Sequence, residues 1–171
     1  MRGVGMIVVA GALAAGLAGC GQKSEAPVMP EPTPAASETP AAASAVLTPE
    51  QLHEQQEMLA KLPAPYNTAD LENGARQFGL CRSCHTIAKG GANMTGPDLY
   101  GVFGTKAAAV PGFDFSDAMK ASGLTWDAPT LDKWLTNPAA LVPNTKMTFL
   151  GVKDAKNRRD IVAYVATQRD D

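Results

Sequence analysis

Cys81-Arg82-Ser83-Cys84-His85 decides how this chain is read. Two thiols three residues apart, at the end of a helical turn, can each add to one vinyl group of a haem, and the adjoining imidazole can then bind the iron. The pattern reads as covalent attachment of one haem c through Cys81 and Cys84, with His85 as a metal ligand. Half of a structural zinc site fits poorly: zinc takes four protein ligands, and the other Cys and His residues, Cys20 and His53, lie far upstream. A redox dithiol of the thioredoxin kind would open a helix inside a βαβ unit, and no strand-rich alternation surrounds these residues.

Working outward toward the N-terminus, residues 1–20 have the form of a targeting segment. Arg2 is the one early charge, Gly3 to Gly19 is apolar or small throughout, and the run ends Leu17-Ala18-Gly19-Cys20. This resembles the signal peptide and lipobox of bacterial lipoproteins, which implies lipidation of Cys20 and export of the chain beyond it. The alternative, an uncleaved transmembrane anchor, calls for about 20 apolar residues and is poorly served by a short Gly- and Ala-rich run. With Cys20 lipidated and Cys81 and Cys84 on haem, no cysteine is left for a disulfide.

Residues 21–47 shift to Pro, Ala, Ser, Thr and Glu, with prolines at 27, 30, 32, 34 and 40. Such a segment buries too little apolar surface to offset the entropy of ordering it, so it is expected to be a flexible tether reaching up to ~80 Å if fully extended in the polyproline regime. Residues 48–65 form an extra helix and a Pro-rich connector. Thr48-Pro49-Glu50-Gln51 is a capping-box signature, a helix should run to about Lys61, and Pro63 and Pro65 stop it. Leu52, Leu59 and Leu62 give it a thin apolar stripe, which suits either packing on the body or lengthening of the stalk.

The compact unit is residues 66–171, one small all-α domain whose core a large apolar cofactor would complete. Helices are expected over Ala69–Leu80, roughly Ala128–Thr136, and Asp154–Gln168, joined by turn-rich stretches such as Gly90-Gly91, Gly96-Pro97 and Pro111-Gly112. The whole chain has a formal net charge of −2, and no nucleic-acid partner is expected.

Several dispersed motifs occur in a definite order: Cys81 to Thr86, Lys89-Gly90-Gly91, Thr95-Gly96-Pro97-Asp98-Leu99-Tyr100-Gly101, Pro111-Gly112-Phe113, Trp126, Asn137-Pro138, and Pro143-Asn144-Thr145-Lys146-Met147-Thr148-Phe149. On these, residues 70–168 resemble a class I cytochrome c of the mitochondrial and bacterial short-chain type. The resemblance implies the class I fold, helices wrapped around one covalently attached haem. It implies Met147 as the second axial ligand, the Pro97 carbonyl as acceptor for the other nitrogen of His85, Trp126 as a donor to a haem propionate, and Thr145 as a weaker propionate donor. Met58, Met94 and Met119 are more simply explained as packing. Gly74, Phe78, Ile161 and Tyr164 match the crossing of the terminal helices. Where mitochondrial relatives carry an arginine and a tyrosine near the propionates, this chain has Thr105 and Phe115; Trp134 replaces another tyrosine and Met119 an asparagine.

Two axial protein ligands leave no open coordination position for oxygen, peroxide or substrate, which argues for outer-sphere electron transfer and against catalysis. The expected function is a monomeric, membrane-tethered one-electron carrier in an exported respiratory or photosynthetic chain. It would be periplasmic and lipid-anchored, at the inner membrane, between a quinol-oxidising cytochrome complex and a terminal oxidase or other redox protein. The second reading is a haem-bearing subunit of a dehydrogenase or reductase complex. Where the family would carry a ring of lysines, Lys146 and Lys153 remain but Ala75, Leu80, Ala92, Met94, Ala139 and Ala140 stand in place of the others, and residues 66–171 hold 12 Lys and Arg against 11 Asp and Glu. Weak electrostatic steering is expected, with confinement to one membrane supplying the encounter.

Overall fold

The computed structural model describes residues 48–170; the expected signal segment with Cys20 and the expected tether 21–47 lie outside them. The described residues form α-helices and turns without a strand, with one isolated antiparallel bridge between Lys106 and Thr125. The all-α expectation holds for them.

α1 spans Pro49–Ala60. The capping box is realised in full: the Thr48 hydroxyl accepts from the Gln51 N–H at 3.2 Å, and the Thr48 N–H donates to the Gln51 side chain at 2.9 Å. The inner face carries Met58, 4% exposed, followed by Leu62 and Tyr66, both buried. The helix therefore packs on the body rather than standing away from it. His53 is exposed beside Glu57.

α2 spans Leu71–Gln77, with Asp70 accepting from the Asn73 N–H at 2.9 Å, and winds into a tighter 3-10 turn, Phe78–Leu80, before Cys81. The segment expected as one helix over 69–80 is thus an α-helix and a 3-10 turn in series. α6 spans Ala155–Ala166, capped by Asp154. α2 and α6 cross at Gly74, where a Cβ would collide with the Asp160 carbonyl and lie 2.7 Å from the Tyr164 Cβ. The ring of Phe78 meets that of Tyr164 with centroids 5.5 Å apart. Asp160 is fully buried at this crossing. Its carboxylate accepts from the Asp70 N–H at 3.2 Å and from Asn73 and Lys156 at 2.8 Å each, with Arg159 alongside at 3.1 Å. A buried charge so fully hydrogen-bonded fixes the register of one helix on the other at little net cost, whereas an unpaired one would be strongly unfavourable.

α4 spans Ala128–Thr136, with Asp127 as cap and Leu131, Trp134 and Leu135 facing the core. Two short helices escaped the sequence reading: α3, Asp117–Ala121, capped by Ser116, and α5, Pro138–Leu141, capped by Asn137. Runs of four or five residues are too short for a 3.6-residue periodicity to show.

Candidate functional site

The wall carrying the pentapeptide starts where the 3-10 turn ends. The Cys81 carbonyl accepts from the N–H groups of Cys84 and His85, both at 3.0 Å, so the two thiols and the imidazole emerge from a single tight turn. Burial, with Cys84 beside it, pushes the Cys81 thiol up to about 11. A thiol kept protonated by burial is a poor thiolate metal ligand. Among the described residues no group of three or more His, Cys, Asp or Glu could hold a metal ion by itself.

His85 Nδ1 lies 2.8 Å from the Pro97 carbonyl. A carbonyl can only accept, so that nitrogen carries the proton and Nε2 keeps its lone pair for a ligand. Burial lowers the pKa of His85, partly offset by this hydrogen bond, and the ring stays neutral as an iron ligand must. The ring also lies flat against Gly96, where a Cβ would come within 2.6 Å of Nδ1 and 2.7 Å of Nε2. The Gly96 N–H in turn donates to the Cys84 carbonyl at 2.8 Å. Thr86 ties the same turn to Asp98 at 2.7 Å and to the Ala92 carbonyl at 2.9 Å.

Met147 comes from a distant stretch of the chain, the segment between α5 and α6. Its N–H donates to the Thr145 hydroxyl at 3.3 Å, and the neighbouring Lys146 ammonium reaches Asp114, donating to the backbone carbonyl at 2.8 Å and to the carboxylate. Between the two walls lies a cavity of about 300 Å³, lined by both segments and floored by apolar side chains including Leu99, Val102, Leu131 and Ile161. Cys81, Cys84, His85, Pro97, Trp126, Thr145 and Met147 all line it. Trp126 is 8% exposed, its ring 5.5 Å from that of Trp134, and its indole N–H makes no hydrogen bond among the described residues. An indole without a protein acceptor, on a residue that lines an apolar cavity, fits a cofactor that brings an acceptor with it. The donor set therefore suits haem: two thiols, one neutral imidazole with a free nitrogen, and a thioether, all lining the same cavity.

The structure adds three features. Met119, on α3 and 5% exposed, lines the same cavity, so two thioethers reach it; Met94 is half-exposed and Met58 is buried on the inner face of α1. Lys106 lines the cavity as well and is bridged to Thr125. The Lys146–Asp114 pair joins the Met147 segment to the loop bearing Phe113 and Phe115. None of these could be read from spacing, since each rests on contacts between residues far apart in the chain.

A small all-helical fold around an apolar cavity, lined by a C-x-x-C-H turn and by a thioether from a distant segment, defines a single-haem protein of the class I cytochrome c fold. The chain belongs to the cytochrome c family, whose model matches residues 71–169. It is 48% identical over 103 residues to cytochrome c2 of Rhodomicrobium vannielii, covering 60% of this chain and 82% of that protein. It is 43% identical over 97 residues to cytochrome c of Gibberella zeae, covering 56% of this chain and 92% of that one. The solved structure of cytochrome cH from Methylobacterium extorquens superposes with a TM-score of 0.54 at 45% identity, covering 57% of this chain and 97% of that protein. The chain is accordingly a haem c electron carrier and not an enzyme. α1 lies upstream of the family match.

Proposed function

We propose that the chain is a membrane-tethered one-electron carrier of an exported respiratory or photosynthetic chain. Cys81 and Cys84 would hold the haem through thioethers, and His85 Nε2 and the Met147 sulfur would ligate its iron. Haem supplies a ferric/ferrous couple when bound. The observation that supports this assignment is the pairing across one apolar cavity of an imidazole oriented by the Pro97 carbonyl with the Met147 segment. The Pro97 carbonyl keeps His85 in the ligating tautomer, Gly96 leaves room for the ring, and the apolar lining keeps water from the iron. Trp126 and Thr145 would meet the propionates.

Lipidation of Cys20 would hold the protein at the periplasmic face of the inner membrane, between a quinol-oxidising complex and a terminal oxidase or other redox protein. Leu80, Met94 and Leu150 are exposed, Leu150 by 86%, and each lines the cavity or adjoins a residue that does. Nearby Lys120 and Lys146 are engaged with Asp114 and Asp117. Such a front docks by apolar contact, and shared membrane residence supplies the encounter rate that charge does not.

The test compares electron transfer from the native lipoprotein in membranes with that from a soluble form beginning at Thr48, each over a salt series. The soluble form must retain α1, because Met58 and Leu62 are buried. A weak salt dependence and a much slower soluble form are expected. A steep fall in rate with salt would reject apolar docking, and equal rates would reject the tether. Stable co-purification with a catalytic subunit would instead make the chain the electron-transfer subunit of a dehydrogenase or reductase.

A further inference from the structure

The last carbonyl groups of α4 have no acceptor role left within the helix, and the chain that follows Met147 takes them up. The Leu135 carbonyl accepts from the Val152 N–H at 2.7 Å, and the Thr136 carbonyl accepts from the Lys153 ammonium at 3.2 Å. Gly151 permits this approach: its φ is +88°, and a Cβ there would collide with the Thr136 carbonyl.

The other backbone group of Val152 is also occupied. Its carbonyl accepts from Arg158 Nη1 at 3.0 Å, while Arg158 Nε donates to the Asp132 carboxylate at 2.7 Å. The Arg158 side chain is 13% exposed and that of Asp132 28%, so these bonds are less screened than those of surface pairs. One guanidinium on α6 therefore joins α4 to the chain five residues beyond Met147. Its planar fork serves both acceptors at once, which a single ammonium on a shorter reach does not.

We propose that Arg158 is a positioning residue for Met147, which rests on the reading of Met147 as the iron ligand. Arg158 is not among the residues that line the cavity, so it acts through Val152. With Val152 held by both its N–H and its carbonyl, any excursion of the thioether is confined to a short arc of chain. Without the guanidinium the arc lengthens past Val152 toward α6, and a longer free segment leaves the iron more often.

The experiment uses the full-length holoprotein with Arg158→Ala and Arg158→Lys. Asp160→Asn is the control, since it weakens the fold two residues along α6 while keeping the Arg158 bonds. Capture of the ferric iron by limiting imidazole is measured together with amide hydrogen exchange at Val152 and Gly96. Arg158→Ala should capture imidazole about tenfold faster than the native chain, the worth of one hydrogen bond from a charged group. Arg158→Lys, which keeps a charge near Asp132 but lacks the fork, should be at least about threefold faster and lose less stability. In both, the Val152 amide should exchange faster, while that of Gly96, bonded to the Cys84 carbonyl, should keep its native rate. Asp160→Asn, though less stable, should capture imidazole at about the native rate. Capture by Arg158→Lys no faster than by Asp160→Asn, or equal acceleration of the Val152 and Gly96 amides, would overturn the proposal. A Met147→Leu holoprotein that keeps the sulfur-to-iron charge-transfer absorption would overturn the underlying reading instead.

Discussion

Between Cys81 and Leu99 successive turns are closed by short backbone hydrogen bonds: Gly96 to Cys84, Met94 to Gly96 and Gly91 to Ala88 at 2.8 Å, Leu99 to Thr86 at 2.9 Å. Between Pro143 and Gly151 the corresponding contacts are few and longer, Thr145 to Val142 at 3.2 Å and Met147 to the Thr145 hydroxyl at 3.3 Å, and Leu150 stands in solvent. The histidine wall is organised by the chain itself and needs no cofactor to orient its ring. The sulfur wall is anchored mainly at its ends, where the Val152 N–H meets the Leu135 carbonyl at 2.7 Å and the Val142 N–H meets that of Pro138 at 2.9 Å. Local opening, which draws on the least hydrogen-bonded parts of a fold, should therefore begin on the Met147 side.

The largest break is expected at Gly96. Gly96→Ala places a methyl group against the His85 ring, so either the ring turns away from the Pro97 carbonyl or the Gly96–Cys84 bond opens. Overpacking of this severity costs about 3 kcal/mol or more, and most covalent holoprotein should be lost. Haem-stained yield and thermal unfolding measure it; a native yield would show that the histidine wall is softer than its hydrogen bonds suggest.

Asp160→Asn tests the helix crossing that carries the same wall. Burial acts to raise the pKa of Asp160, but hydrogen bonds from Lys156, Asn73, the Asp70 N–H and Arg159 outweigh it and bring the carboxyl below the usual 3.8. A lowered folded-state pKa means that the carboxylate's stabilisation is present in full above 3.8 and is lost as pH falls through the lowered value. The variant should lose about 3 kcal/mol at neutral pH, the low end for breaking a buried pair because Lys156 is partly in water. It should also show a flatter decline in stability below pH 3.8. Denaturant titrations across pH check both, and an unchanged acid limb would remove Asp160 from the account.

Met147→Leu reaches the softer wall. Volume is nearly conserved, so stability should fall by less than about 1.5 kcal/mol, while the reduction potential drops by a sizeable part of the roughly 0.8 V that axial ligands span. The sulfur-to-iron charge-transfer absorption should vanish and carbon monoxide should bind the reduced protein. Met119→Leu should keep the absorption. The reverse pattern would transfer the ligand role to Met119, the other thioether in the cavity.

The sequence made one wall more legible than the other. Cys81, Cys84, His85, Gly96 and Pro97 lie within seventeen residues, and their chemistry follows from local turns. Thr48 marked the start of α1 and Asp127 that of α4, because a side-chain oxygen meets an N–H three residues on; Asp70 and Asp154, expected inside their helices, are caps in the same way. Nothing local foretold that Met119 would face the cavity, that Met58 would be the buried residue of α1, or that Lys106 would be bridged to Thr125, because long-range packing places them all. Met147 was singled out by family resemblance, not by any local rule.

The smallest expected effect concerns the Lys146–Asp114 pair, which ties the middle of the sulfur wall to the rest of the fold. The Lys146 ammonium holds the Asp114 carboxyl below the usual carboxylate range, and Lys120 adds to this. Both Lys146 and Asp114 are exposed, so the ion pair is screened, while the bond from Lys146 to the Asp114 carbonyl does not depend on the carboxylate. Asp114→Ala should therefore remove only the ionic part of the tie. If the sulfur wall opens as a loosely held segment, imidazole should capture the ferric iron of this variant at most about fivefold faster than in the native protein at low salt. The difference should disappear near 1 M salt, where the screening length is about 3 Å. Lys146→Ala, which loses the carbonyl bond as well, should remain faster at all salt concentrations. Identical capture rates in all three proteins would mean that the bond to iron alone holds Met147 in place, and that the contrast between the two walls ends once the cofactor is bound.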